Sequence, residues 1–379
     1  GIEVGGLRIE REMAHLPTAI VIDNGTDQMR VGTSGSTEPS LICKNVTGRS
    51  ESNSSEGELC FGDEAWGRRD DLSVIRPMKR GRVVSWADME AIWSYVFNRH
   101  VKTPSCESPV LLTEFPLTTQ SDREKTCRMM FEGLGVPALY MAPQSLLALL
   151  SSGRVTGCVV DCGYDVTHTV PVFEGHCLPH AVRQLGLGGQ DVTAHLALLL
   201  KESGAQFSSA TQEHDTVTII KEQMCYVSTD PSSETATTII GSTDADYQLP
   251  DGQMLRVGSE RFRAPEILFS PQTVRMVTQG IPSLLVSSVL ESDADLWQLL
   301  LDNAVLAGGS SLLPGMGHRL REEASALAPP GCRVGQVPVM DTAWLGGSLL
   351  SSLSIFGDMC ISALEYQEIG SNVIHHKCF

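Results

Sequence analysis

The sequence is poor in most of the features that would assign a chain quickly. Aromatic residues make up only 6% of its 379 residues. No apolar run reaches the length needed to span a bilayer, and the opening GIEVGGLRIEREMAHLP lacks the apolar core of a secretory signal. A membrane role is therefore not expected. Basic residues are outnumbered, 28 Lys and Arg against 45 Asp and Glu, which leaves a formal net charge of −17. Direct nucleic-acid binding is not expected from such a balance. The one local basic stretch, Arg76-Pro-Met-Lys-Arg-Gly-Arg82, reads as a solvated loop. The eleven cysteines form no CxxC pair and no His/Cys cluster at zinc-ligand spacing. Odd in number and scattered, they read as reduced, mostly buried thiols of a soluble intracellular protein.

What is present is a globular composition, 42% hydrophobic and 19% charged, on a chain long enough for two domains with real cores. One pattern occurs twice. Ala19-Ile-Val-Ile-Asp-Asn-Gly-Thr26 is followed by Met29-Arg-Val-Gly32, and Gly157-Cys-Val-Val-Asp-Cys-Gly163 is followed by Val166-Thr-His-Thr-Val170. Each unit reads as a β-hairpin with a carboxylate and a glycine at its tip. Glycine lets backbone N–H groups approach phosphate oxygens, and a carboxylate can hold a hydrated Mg²⁺. One unit in each half predicts a duplicated fold with a site between the tips, although ordinary surface hairpins would carry the same letters.

Helical spacing predicts helices over Trp86–Val101, with Ser85 as N-cap, over Asp122–Leu134, and over Gln144–Leu150, the last apolar on most faces and so internal. Pro109–Thr113 reads as a buried strand. Further helices are expected at His195–Lys201, with Asp191 near the N-terminus, and at Thr216–Val227, Pro314–Leu327 and Trp344–Phe356. Ser228–Gly241 reads as an outward polar loop, and Tyr247–Leu255 as a hairpin turned at Asp-Gly. Residues 1–17 read as a flexible lead. Arg49–Glu58 has no apolar residue and reads as an exposed, mobile loop. Asn303–Ala307 is an apolar strand that runs into Gly308-Gly-Ser-Ser311, a glycine turn before a helix and a natural anion or ribose-phosphate site. Strands alternating with helices indicate an α/β architecture.

Taken together, VIDNGT, FGDEA, PVLLTEFPL, VTHTVPVFEG, IKEQMCYV, YQLPDGQ, ERFRAPE, VLAGGSSLLPG, WLGGSLLSSLSIF and the IHHKCF ending resemble the actin family, in order and nearly end to end from Thr18. The resemblance implies the duplicated ribonuclease-H-like fold shared with sugar kinases and heat-shock chaperones. It also implies two large domains of two subdomains each, with ATP or ADP and Mg²⁺ or Ca²⁺ in the cleft between them. Subdomain 1 would comprise 18–44, 77–151 and 342–379, and subdomain 2 would comprise 45–76. Subdomain 3 would comprise 152–187 and 277–341, and subdomain 4 would comprise 188–276.

Carried over residue by residue, the resemblance implies that Asp23, Gly25, Thr26 and Arg30 match the first phosphate loop. Asp161 and Gly163 match the second, with Asp161 holding the metal through water. Gln144 and His168 match the pair that positions the hydrolytic water; as plain structure, the two could instead satisfy each other's hydrogen bonds. Gly189, Lys221 and Glu222 match nucleoside contacts, and Gly309, Ser310 and Ser311 match the turn over base and sugar. The departures fall in the same places. Asp27 stands for a glycine, Arg30 for a lysine, Tyr164 for an aspartate, Asp165 for a glycine and Met340 for a lysine. If Asp27 faces the cleft, a carboxylate about 4 Å from a phosphate charge costs on the order of 4 kcal/mol at an effective dielectric of about 20, roughly a thousandfold in affinity. If it turns outward, only its backbone N–H faces the phosphate. Nucleotide is expected to bind weakly or not at all, with hydrolysis slower still.

The family polymerises partly through an apolar loop, and here Arg49–Glu58 is short and wholly polar, so conventional filaments are not expected. The family's partner groove, by contrast, keeps apolar residues at Leu150, Val155, Leu345, Leu349, Leu350, Ile355 and Met359, which suits an amphipathic partner helix. The expectation is a divergent actin-related scaffolding subunit, cytoplasmic and cytoskeletal, whose partners are other proteins, actin or other actin-related proteins among them. The alternative is a slowly hydrolysing ATP switch whose nucleotide state controls those partners.

Overall fold

The computed structural model describes residues 18–50, 59–101, 104–207, 209–238, 244–249, 252–339 and 342–378. The expected lead at 1–17, the core of the polar loop at 51–58 and Met340 lie outside them.

Both Asp-x-Gly units are hairpins. Ile20–Asn24 pairs antiparallel with Gln28–Thr33, and Gly157–Cys162 with Thr167–Phe173. The duplication extends beyond the hairpins. In each case the first strand also pairs in parallel with a later strand, Val110–Glu114 in the first unit and Ala304–Ala307 in the second. Around them grow a six-stranded sheet, which adds Leu41–Lys44, Ala138–Pro143 and Ile361–Ser362, and a five-stranded sheet, which adds His176–Cys177 and Arg183–Leu185. The central strands are buried on both faces, which is why they read as continuous apolar runs and not as alternating ones.

Each sheet has its own core. Helix Gln144–Ser151 joins them: Leu147 packs with the first sheet's core, while Leu146 and Leu149 pack with Val159, Val170 and Val305 of the second. Its apolar character on most faces follows from serving two cores. Helix Ala343–Ser351 crosses it closely. A Cβ on Gly346 would sit 1.8 Å from the Leu147 carbonyl oxygen, so only glycine permits the approach. The indole N–H of Trp344 donates to Val21 O at 3.1 Å and ties that helix to the first hairpin.

Several elements differ from the sequence expectation. The helix expected over Trp86–Val101 is α-helical to Val96 and then widens into a π-helical turn, Phe97–Val101; the second likewise runs Gln120–Arg128, then Met129–Gly133. Ser85 stands at the N-cap, but its hydroxyl bonds the Asp88 carboxylate and not the helix backbone. The expected helix at His195–Lys201 is the longer Gly189–Glu202. Helix Ala210–Met224 starts six residues before Thr216, capped where Ser209 accepts from the Gln212 N–H at 3.1 Å. The expected loop after Ser228 contains helix Pro231–Thr238. Its signal was Asp230 before proline: the Asp230 carboxylate accepts from the N–H groups of Ser232 and Ser233 at 3.2 and 3.1 Å. The helix expected over Trp344–Phe356 ends at Ser351. There the hydroxyls of Ser351 and Ser352 bond Gly347 O and Ser348 O at 2.7 and 2.6 Å, and a second short helix, Phe356–Met359, follows. The stretch Arg76–Arg82 is not a plain loop, because Met78–Lys79 and Arg82–Val83 pair as a small hairpin.

None of the eleven cysteines, all among the described residues, forms a disulfide; eight are buried and only Cys106 is exposed. Among the described residues no helix is long and apolar enough to cross a membrane, and no cluster of three His, Cys, Asp or Glu could hold a metal.

Candidate functional site

The two hairpin tips lie side by side at one end of the sheets. Asp23 closes strand Ile20–Asn24 and is buried. Its Oδ1 accepts from Gln144 Nε2 at 2.7 Å and from the Thr113 hydroxyl at 3.0 Å, and its Oδ2 lies 3.7 Å from the Arg30 guanidinium. The first tip's carboxylate is therefore held by three neighbours, and Thr113 is a site residue that sequence reasoning missed. Arg30, expected to reach a phosphate, is paired with Asp23.

Asp161 occupies the matching position in the second hairpin. Burial pushes its carboxyl up from the usual carboxylate range to about 6; the neighbouring Asp23 charge raises it further and Arg30 opposes this. His168 faces Asp161 across the hairpin register. It is buried, and desolvation lowers its pKa to about 4, with a hydrogen bond to Gln184 working the other way. At neutral pH it is an uncharged imidazole. His168 and Gln144 do not satisfy each other, since Gln144 turns to Asp23 and Thr113 while His168 turns to Gln184.

The second tip is docked onto helix Gly189–Glu202. Gly189 N–H donates to Gly163 O at 3.0 Å, and Gln190 N–H to Tyr164 O at 2.7 Å. Asp191 accepts from the Gly188 N–H at 2.8 Å and closes the helix start. A Cβ on Gly189 would lie 2.5 Å from Ser310 Oγ and 3.6 Å from Lys221 Nζ, so glycine is needed for these three to converge. Lys221 Nζ donates to Gly189 O at 3.2 Å, and its pKa is lowered chiefly by burial. Ser310 donates to Gly163 O at 3.0 Å and Ser311 to Gly308 O at 2.6 Å, while Glu222 is exposed on the same helix as Lys221. At Gly309 an added Cβ would meet open space. Gly189, Lys221, Ser310 and Gly309 thus form one wall.

Asp27 neither repels across an open cleft nor turns to solvent. Its Oδ2 accepts from Lys44 Nζ at 2.7 Å and its Oδ1 from Arg76 at 2.9 Å, so its charge is neutralised. The repulsion expected from an unpaired carboxylate does not arise. What sets the tip apart is that Arg76 is drawn over it, its guanidinium 4.8 Å from the Tyr164 ring centre and 4.9 Å from that of Trp66. Asp165 is also buried, and its Oδ2 accepts from the Arg80 N–H. Lys44, Trp66 and Arg76 were not legible as site residues. Arg76 lies 49 positions from Asp27, and nothing in the basic stretch marked it as paired.

The expected groove residues divide. Leu150, Leu350 and Met359 line a cavity of about 480 Å³ together with Tyr140, Leu146 and Lys377. Leu345 packs against the first core, whereas Val155, Leu349 and Ile355 are exposed.

Two like halves, each a hairpin with a parallel third strand and a carboxylate tip, joined by a shared helix, define the duplicated ribonuclease-H-like class. The particular family follows from a family model described as Actin, which matches residues 15–379. The chain belongs to the actin family. For the nucleotide this family takes, the chain fits unevenly. At the wall, Ser310 and Lys221 bond backbone oxygens of Gly163 and Gly189, and the buried Thr26 hydroxyl has no hydrogen-bond partner among the described residues. The phosphate end is crossed by Arg76, Asp27 and Tyr164, which satisfy one another.

Proposed function

We propose that this actin-family chain is a structural, scaffolding subunit of a cytoskeletal or other multiprotein assembly, working in the cytoplasm through protein partners. It engages them by taking an amphipathic helix into the cavity at Leu150, Leu350 and Met359. Its nucleotide cleft binds ATP or ADP with Mg²⁺ or Ca²⁺ only weakly, Asp161 being the metal's water-mediated holder and Gln144 and His168 the neighbours of any attacking water. The observation that carries this reading is the contrast between two sites: the partner cavity is open and largely apolar, with His176, Asp358, His376 and Lys377 as its polar lining, while the phosphate end of the cleft is spanned by the protein's own ion pair and ring contact. The polar sequence at Arg49–Glu58 adds support, since burying it in a subunit contact would leave hydroxyls and charges unpaired.

The test is fluorescence anisotropy with a labelled helical peptide carrying Leu or Ile at i, i+3, i+4 and i+7. Binding is expected without nucleotide, weakened at least tenfold by Leu350→Asn or Met359→Gln in variants that keep their melting temperature. No binding, or binding only with ATP, contradicts the reading. The second reading, a slow ATP switch, is favoured by the unpartnered Thr26 hydroxyl and the open space at Gly309. ATP-dependent peptide binding would support it.

A further inference from the structure

The residues that cross the cleft come from opposite halves of the chain, in two layers. In the deep layer, Asp27 and Arg76 of the first half form an ion pair at 2.9 Å, and Arg76 lies 4.8 Å over Tyr164 of the second half. Lys44 is a second cation on the same carboxylate, 2.7 Å from Asp27, so the cluster carries one positive charge in excess. Alongside, Asp165 of the second tip accepts from the backbone N–H of Arg80. Arg80 has φ of 49° and, with Gly81 at 74°, makes the tight turn of the Met78–Val83 hairpin, so the carboxylate grips a turn that cannot easily change shape. In the outer layer, Arg69 pairs with Asp215, the Thr211 hydroxyl donates to Asp70 at 2.5 Å, and the His214 ring meets Trp66 edge-on at 5.7 Å. Trp66 joins the layers, because Arg69 and Arg76 lie 4.6 and 4.9 Å from its ring centre.

We propose that Asp27, Arg76, Tyr164 and Asp165 act as a built-in clasp that holds the two halves together without nucleotide. A cleft whose halves are joined only through a bound phosphate opens when the ligand leaves. Here the Asp27 carboxylate, the Arg76 guanidinium and the Tyr164 ring stand between the tips and pair with one another directly, while Asp165 is held through Oδ2 alone, its buried Oδ1 having no hydrogen-bond partner among the described residues. The Asp27 side chain is 17% exposed and Arg76 22%, so the pair is well removed from water and only weakly screened by salt. A partly desolvated guanidinium over a tyrosine contributes about 1–2 kcal/mol, enough to bias a two-state opening about tenfold. The clasp also ranks the substitutions: Tyr164 and Asp165 belong to the second half, Asp27 and Arg76 to the first, and each has a partner across the cleft or a partner of that partner. This inference concerns the shape of the chain and is independent of helix capture at the distant cavity, so either can fail while the other stands.

The test uses the full chain, stripped of nucleotide with apyrase and EDTA and labelled at one exposed site in each half, for pulsed electron-electron distance measurement. The stripped wild type is expected to show one closed distance distribution, unchanged by saturating ATP with Mg²⁺. Tyr164→Ala or Arg76→Ala should add an open population, the double variant should open no further than either single one, and Tyr164→Phe should stay closed. Amide exchange at 163–165 should rise about tenfold in the alanine variants. A stripped wild type that is open and closes on ATP overturns the proposal. So does an unchanged distribution and unchanged exchange in Tyr164→Ala. If an alanine variant does not fold, the wild-type comparison and Tyr164→Phe still decide the matter.

Discussion

Arg76 and Tyr164 face each other across the cleft, guanidinium carbon to ring centre 4.8 Å, on segments 88 positions apart (164 − 76). The pair sits where the family resemblance leads one to expect phosphate. Arg76 pairs its charge with Asp27 and lays its face on Tyr164, so two of the departures from the family pattern, Asp27 and Tyr164, are linked through one guanidinium. Reversing one of them alone, as in Asp27→Gly, leaves Arg76 without its carboxylate.

Gln144→Ala should destabilise the protein by about 1–3 kcal/mol, because Asp23 loses a buried donor at 2.7 Å and keeps only Thr113 and the more distant Arg30. Gln144→Glu should cost more, since it places two carboxylates together. Urea unfolding at pH 7 measures both, and a Gln144→Glu variant as stable as wild type would contradict this role of Gln144.

His168 should remain neutral until about pH 4 when followed by NMR of its ring. Its folded pKa lies below the unfolded value of about 6.5, so its contribution to stability is fully present above 6.5 and is lost as pH falls through 4. The loss amounts to about 3 kcal/mol. His168→Gln should flatten that part of the stability–pH curve, and a His168 resonance titrating near 6.5 would show that burial does not control it.

Asp161 works in the opposite sense. Its folded pKa, about 6, lies above the ordinary carboxylate value, so the stability it contributes is fully present at low pH and is lost as pH rises through 6. At pH 7 it is charged beside Asp23 at a net cost. Asp161→Asn should therefore stabilise the nucleotide-free protein by on the order of 1–2 kcal/mol. The same change should abolish any stabilisation by Mg²⁺ or Ca²⁺. Thermal melts with and without each ion check both parts.

Gly346→Ala should destabilise the chain by about 3 kcal/mol or more, since the methyl would overlap the Leu147 carbonyl and push apart the two helices beneath the tips. Gly175→Ala provides the comparison. There a Cβ meets nothing, but φ is +81°, so only backbone strain of about 1 kcal/mol is expected. Equal effects at the two sites would argue against close helix packing.

Much of the fold was legible because its signals are local. Val-Ile-Asp-Asn-Gly and Val-Val-Asp-Cys-Gly announce hairpins through apolar runs that stop at turn residues, and both hairpins are there. Helix Pro231–Thr238 escaped because its Ser, Thr and Glu residues show no apolar period; only the cap at Asp230 marks it. The fate of Asp27 was not legible at all. Whether a carboxylate is unpaired or neutralised depends on Lys44 and Arg76, 17 and 49 positions away, and such pairing is decided by tertiary structure. Likewise, the sequence left open whether Gln144 and His168, both polar residues in apolar settings, satisfy each other, and backbone placement gave each a different neighbour.

The most direct test of the account is calorimetric titration of ATP with Mg²⁺ into the stripped wild-type chain at physiological salt. A cleft already closed by its own side chains predicts a dissociation constant weaker than about 1 µM, less than ~8 kcal/mol of binding free energy, with no detectable turnover on the same sample. Nanomolar binding, or steady hydrolysis of the bound ATP, would contradict it.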